Sequence, residues 1–214
     1  MIAGHEKPDI EELKHKRVTW LTVDFPPPSN HRNFTNDKMR KRKVIGAYLR
    51  KIGYSGLFMP LDADDWVHCD FVEYVRSRPH SDAYILKKGL MVNLASKEVW
   101  LRKKRFFRGC GSGAAFYFSN REFPKTTDME DVRKTPFRIV LKGHPKVIRH
   151  LKAINKSHTM IDFPFIAWVL GHGDNNSMIK GKKDNRVSAS KYGAVGEKLD
   201  KRLYEYFKIR KIKK

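Results

Sequence analysis

The sequence predicts an α/β fold, and three observations carry that reading. Residues 18 to 65 run strand, loop, helix, strand. The apolar run Leu57-Phe58-Met59-Pro60-Leu61 ends directly in Asp62-Ala63-Asp64-Asp65. A later apolar run, Phe163 to Leu170, enters the glycine-flanked segment Gly171-His172-Gly173. Strands separated by a helix form crossover units and parallel pairs. In open α/β sheets ligands bind beyond the carboxyl ends of the strands. Carboxylates and a histidine at such ends are therefore candidate site residues.

Each element has a local reason. Val18 to Val23 is β-branched and apolar, the composition of a strand, and Pro26-Pro27-Pro28 ends it by removing ladder donors. Thr35 or Asn36 can cap a helix beginning near Asp37. Val44, Ile45, Tyr48, Leu49 and Ile52 mark one face of it, and Gly53 ends it. Leu57 to Leu61 reads as the next strand. A short helix is expected from Cys69 to Arg78, stopped by Pro79. Tyr84–Leu86, Met91–Leu94 and Glu98–Leu101 read as short strands, with a turn at Ala95-Ser96-Lys97. Gly109-Cys110-Gly111-Ser112-Gly113 leads into a strand over Ala114–Phe118. Residues 119 to 136 read as a polar loop, Pro145 to Asn155 as a helix with Pro at its first position, and 180 to 193 as a mobile basic loop. Val195 to Lys214 reads as a terminal helix with Leu199, Leu203, Tyr206 and Phe207 on one face.

The chain has 214 residues, 40% hydrophobic, enough for one domain with a core and an appendage. No apolar run approaches the ~18 residues of a membrane span. Cys69 and Cys110 are its two cysteines, too few for a disulfide framework, so a reducing cytoplasm is the expected compartment. Lys and Arg number 45 against 23 Asp and Glu, a net charge of +22. Such a field favours anionic partners: nucleic acid, anionic lipid or nucleotide-sugar phosphates. The basic tail Lys208–Lys214 keeps nucleic-acid binding as the alternative function, although no zinc-finger spacing or RNA-binding aromatic motif accompanies it. An aspartyl-phosphate phosphatase also carries Asp-x-Asp after a strand, but Trp66 and the position of Asp62 in the chain fit that class poorly.

Leu61-Asp62-Ala63-Asp64-Asp65 after a strand resembles the DxD signature of nucleotide-sugar glycosyltransferases of the GT-A fold, especially bacterial family-2-like enzymes. Three further segments fall in the same order. They are the helix opening at Asp37-Lys38, the Cys110-Gly111-Ser112-Gly113 segment before a strand, and late His172. The resemblance covers about residues 1 to 180, taken as the transferase core, with 181 to 214 as a basic loop and amphipathic helix. It implies a mixed sheet flanked by helices with an incomplete first βαβ unit. A piece of ~30 residues would be missing before Met1, so an inactive fragment is a further alternative. Many inverting members of that family carry an acidic base in a Glu-Asp pair where this chain has Gly143-His144-Pro145.

The activity implied is sugar transfer from a nucleoside-diphosphate donor to a glycan or glycolipid acceptor, of the hexosyltransferase type used for cell-envelope polysaccharide. A Mn²⁺ or Mg²⁺ ion would bridge the diphosphate as a Lewis acid. Asp64, Asp62 and His172 would hold the metal, and Lys38, Asp62 and Asp64 would bind the donor. Asp62 would reach the ribose or the metal through water. Asp65 would orient the acceptor or stand behind the metal ligands. Gly111, Ser112 and Gly113 would face the acceptor sugar. The base is expected to be His144, with Asp128, Glu130, Asp131 and Asp162 as others. The one-sided basic terminal helix adds an expected peripheral contact with anionic membrane at its inner face.

Overall fold

A computed structural model of the chain describes residues 1–173 and 187–208. The fold is mixed α/β, with open sheets of parallel and antiparallel strands and flanking helices. It divides into two compact units, one of residues 1–58 with 117–142, the other of residues 59–116 with 143–214. The expected division at 180/181 lies outside the described residues. No helix among the described residues is long and apolar enough to cross a membrane.

In the first unit, β1 (Ile2–Gly4) pairs in parallel with β2 (Trp20–Thr22), Ile2 opposite Trp20. A Cβ at Gly4 would run into the Trp20 ring, so the close approach requires glycine. The expected pair of β2 with the strand after the helix does not form. That strand, β3 (Gly56–Phe58), lies outside the two-stranded sheet, and β2 takes β1 instead. Between them runs α1 (Phe34–Lys51). It starts three residues earlier than expected, so Thr35 and Asn36 lie inside its first turn. Asp37, near the positive helix end, pairs with Lys41 one turn on at 2.7 Å. Gly53, with φ of 73°, ends the helix.

The buried line of α1 is Gly46 and Leu49, whereas Ile52, expected on the apolar face, is exposed. The reason is Phe137, which lies against the bare Gly46 backbone; a Cβ there would come within 2.6 Å of the ring. Hydropathy periodicity cannot see a contact made through a glycine.

Phe137 directly follows residues 119–136, the segment expected to be a polar loop. Residues 119–136 contain a turn closed by reciprocal Ser119 and Glu122 bonds, and α3 (Met129–Arg133), capped by Asp128. A 3-10 turn, Pro136–Leu141, follows. The Asn120 amide donates to the carbonyls of Leu49, Arg50 and Tyr54, closing the carboxyl end of α1. Phe58, Phe118, Phe123 and Phe137 form one aromatic cluster, with neighbouring ring centroids 5.2–5.5 Å apart. The polar residues of this stretch serve as caps, while Phe123 within it and Phe118 and Phe137 at its flanks join the core.

In the second unit, β4 (Trp66–Val67), β6 (Gly89–Asn93), β7 (Glu98–Arg102), β10 (Ile166–Leu170) and β11 (Glu197–Lys198) form a sheet ordered β11-β7-β6-β10-β4. β10 is parallel to β6 and antiparallel to β4. β5 (Ala83–Leu86) pairs antiparallel with β8 (Ala114–Phe118) and parallel with β9 (Thr159–Ile161), a strand the sequence reading lacked. Helices α2 (Phe71–Arg76), α4 (Val147–Lys152) and α5 (Lys201–Tyr206) are shorter than expected. The expected terminal helix also differs at its start, because residues 197–198 are the strand β11. The expected basic loop is partly described: Ala189–Tyr192 is a 3-10 turn, while 180–186 and 209–214 lie outside the described residues. The terminal apolar face turns inward, with Leu203 and Phe207 buried against Val92, Ala167 and Val169.

Replacing Phe137 with Ala is expected to lower unfolding stability by about 3–5 kcal/mol, measured by urea denaturation. A loss below about 1 kcal/mol would mean the aromatic cluster collapses around the missing ring.

Candidate functional site

The acidic segment is not a strand end but a turn. β3 stops at Phe58, and Asp62 to Asp65 form a tight turn closed by the Asp65 N–H donating to the Asp62 carbonyl at 3.1 Å. The turn leads into β4, whose antiparallel register places Val67 opposite Ile166 and Trp66 opposite Ala167. Continuing that register carries Asp65 and Asp64 toward the carboxyl end of β10. Two opposed chains thus deliver the acids and His172 to one place.

Asp65 is the fixed point. Its Oδ2 accepts from the Ser112 hydroxyl at 2.6 Å and from the Cys110 thiol at 3.2 Å, and its Oδ1 accepts from the Val169 N–H at 3.4 Å. β4 is two residues long, so the carboxyl takes a β10 donor where the ladder has ended. Ser112 in turn accepts the Asp62 N–H at 2.9 Å. Burial pushes the Asp65 carboxyl up to about 7, against the lowering bonds from Ser112 and Cys110, and the charges of Asp62 and Asp64 raise it further. The Cys110 thiol is pushed well up, first by burial and then by Asp65, which leaves it an unreactive donor.

Asp64 and His172 meet directly. The His172 Nε2 lies 3.0 Å from Asp64 Oδ2, and both side chains are partly exposed. Gly171, with φ of 73°, makes the turn that follows β10, tight against Asn93. Asn93, missed by the sequence reading, is fully buried at the carboxyl end of β6. Its amide donates to the Val187 carbonyl at 2.8 Å, and its oxygen accepts from Ala95 and Ser96. The one sequence signal for it was an asparagine ending an apolar strand before a turn.

The other expected site residues are placed as follows. Ser112 is fully buried and Gly113 is buried, with a Cβ at Gly113 meeting the Phe107 backbone at 2.7 Å, while Gly111 is half-buried. His144 opens a 3-10 turn beside Phe106–Arg108, the turn that leads into the Gly109–Gly113 loop. Asp162 pairs with Lys87 and Lys88. Lys38 lies on α1 in the first unit, as do Asp128, Glu130 and Asp131 around α3.

Two donor sets can be weighed for a metal. Neighbouring donors on one octahedral ion at about 2.1 Å sit roughly 3 Å apart, which is the Asp64–His172 spacing. A carboxylate with an imidazole suits Mn²⁺. Among the described residues, the group of three with ligand atoms all within 4.8 Å is instead His68, Cys69 and Asp70. There the His68 Nδ1 accepts the Asp70 N–H at 3.2 Å, and the Cys69 thiol donates to Asp70 Oδ1 at 2.8 Å. An ion at that place would have to displace both bonds, as an ion at Asp64 and His172 would displace the one between them.

No protein-family model, curated protein or solved structure matches this chain.

The raised Asp65 carboxyl makes stability pH-dependent in a definite direction. Its contribution is complete below about pH 4, where folded and unfolded chains are both protonated. It is lost as the pH climbs through about 7, because the unfolded chain ionises first. The loss amounts to up to about 4 kcal/mol. Asp65→Asn is expected to flatten the urea midpoint between roughly pH 4 and 7; an unchanged slope would assign the titration to another group.

Proposed function

We propose that the chain is a GT-A-like glycosyltransferase that binds a nucleoside-diphosphate sugar at the acidic turn with Mn²⁺ or Mg²⁺. The observation that carries this is the Asp64–His172 pair at the carboxyl end of β10, with donor atoms 3.0 Å apart. Strand ends of this kind are where open α/β sheets bind ligands. The order of the DxD-like, glycine-rich and histidine segments along the chain supports the same reading.

In this proposal Asp64 and His172 hold the ion, with Asp62 beside them. When bound, the ion supplies Lewis-acid stabilisation of the leaving diphosphate. The chain's own task is to hold the acids still. Asp65, Ser112 and the Val169 N–H fix the turn so that Asp64 meets His172 without a loop having to order. Of the base candidates, His144 is the one at the glycine-loop side of the second unit, and its neutral imidazole can take a hydroxyl proton. The glycan or glycolipid acceptor belongs to the proposal as well.

Calorimetry with UDP and GDP, each with and without MnCl₂, tests this on the native chain, Asp64→Ala and His172→Ala. Binding is expected in the presence of metal, weakened at least about tenfold in either variant. Equal heats in all three proteins would sink the assignment.

A further inference from the structure

The described structure carries a second charged surface that the diphosphate reading does not use. Residues 103–108, Lys-Lys-Arg-Phe-Phe-Arg, follow β7 as one tight turn. Phe106 and Phe107 are buried, while Lys103, Lys104, Arg105 and Arg108 are exposed. The turn is pinned from both sides. The Phe106 ring lies on Gly89, where a Cβ would come within 2.5 Å of it, and the Arg108 and Gly109 N–H groups bond back to Arg105 and Phe106. Arg105 itself adopts φ of 54°, in the left-handed region that costs a non-glycine residue energy. Like charges on a short rigid turn repel one another, and two buried rings keep them from spreading apart.

Lys87 joins this turn to an apolar pair. Its carbonyl accepts the Phe106 N–H at 3.0 Å, and its own N–H donates to Ile161 at 2.9 Å. On that neighbouring segment Met160 and Phe163 are exposed, at 36% and 41%. Asp162, between them, takes Lys87 at 3.1 Å and Lys88 at 3.4 Å. Cations and exposed large apolar side chains are therefore joined through one residue's backbone. Duplex nucleic acid would use the charges alone, whereas a lipid surface uses both.

We propose that the Lys103–Arg108 turn, with Met160 and Phe163, docks the protein on an anionic membrane surface. The cations meet lipid phosphates, and Met160 and Phe163 enter the interfacial layer. The surface differs from the apolar helix face expected from sequence, whose Leu203 and Phe207 are committed to the core, while Tyr206 of that helix lies beside the Phe163 ring.

Sedimentation of the full chain with vesicles tests this without nucleotide or metal, so its outcome is independent of diphosphate binding. The native chain is expected to bind phosphatidylcholine vesicles containing roughly a third phosphatidylglycerol, and not phosphatidylcholine alone. The triple change Lys103→Glu, Lys104→Glu and Arg108→Glu spares strained Arg105 and is expected to lower binding at least about tenfold. The exposed-site pair Met160→Ser and Phe163→Ser is expected to remove the binding that persists in about 0.5 M salt. Circular dichroism confirms that each variant is folded. Equal binding to neutral vesicles, or native binding by the triple variant, would overturn the proposal. So would loss of lipid binding to competing duplex DNA with no effect of the serine pair, which would make the surface a nucleic-acid one.

Discussion

The second unit's candidate site depends on one buried carboxyl. Asp65 receives a hydroxyl, a thiol and a backbone N–H from two different segments, the glycine loop and β10. Through Ser112 it also governs the backbone of Asp62. Burying a carboxyl is costly unless it is bonded or protonated, and here both compensations operate: three donors surround it and its titration is displaced toward neutrality. Because the turn is anchored at its last residue, its earlier acids can stay partly exposed without being loose.

That division of labour separates residues that look alike in sequence. Asp62, Asp64 and Asp65 are chemically equivalent acids within four positions. Their environments make Asp65 an interior bracket and Asp64 a partly exposed partner of His172. Ser112, which a glycine-rich context marks as a surface loop residue, is the hydroxyl that relays between two of them. Gly113 beside it admits the close approach of the Phe107 backbone.

The basic character of the chain is likewise divided by structure. Some cations are neutralised in place, as Lys41 is by Asp37 and Lys156 by Asp82. Arg42 serves the fold by donating to the Val140 carbonyl. The cations of the Lys103–Arg108 turn are instead held outward by the two phenylalanines between them. Net charge alone distinguishes none of these roles, because it records the sum and not the partner.

What the sequence alone determined was the set of local features. β-branched and apolar runs predicted β5 to β8 and β10 within a few residues, Gly53 ended α1, and three acids next to an apolar run marked a candidate site. The tertiary structure decided everything that rests on pairing. β2 took β1 and not β3, since strand partners are chosen by packing across long sequence separations. Residues 119–136 became capped turns that bring Phe123 into the core, and Phe137 just beyond them met α1 through Gly46. Asp64 found His172, distant in sequence, through the antiparallel register of β4 on β10. Residue type and periodicity report what one stretch of chain can do by itself; which side chains meet is set by the sheet, and the candidate site is made of such meetings.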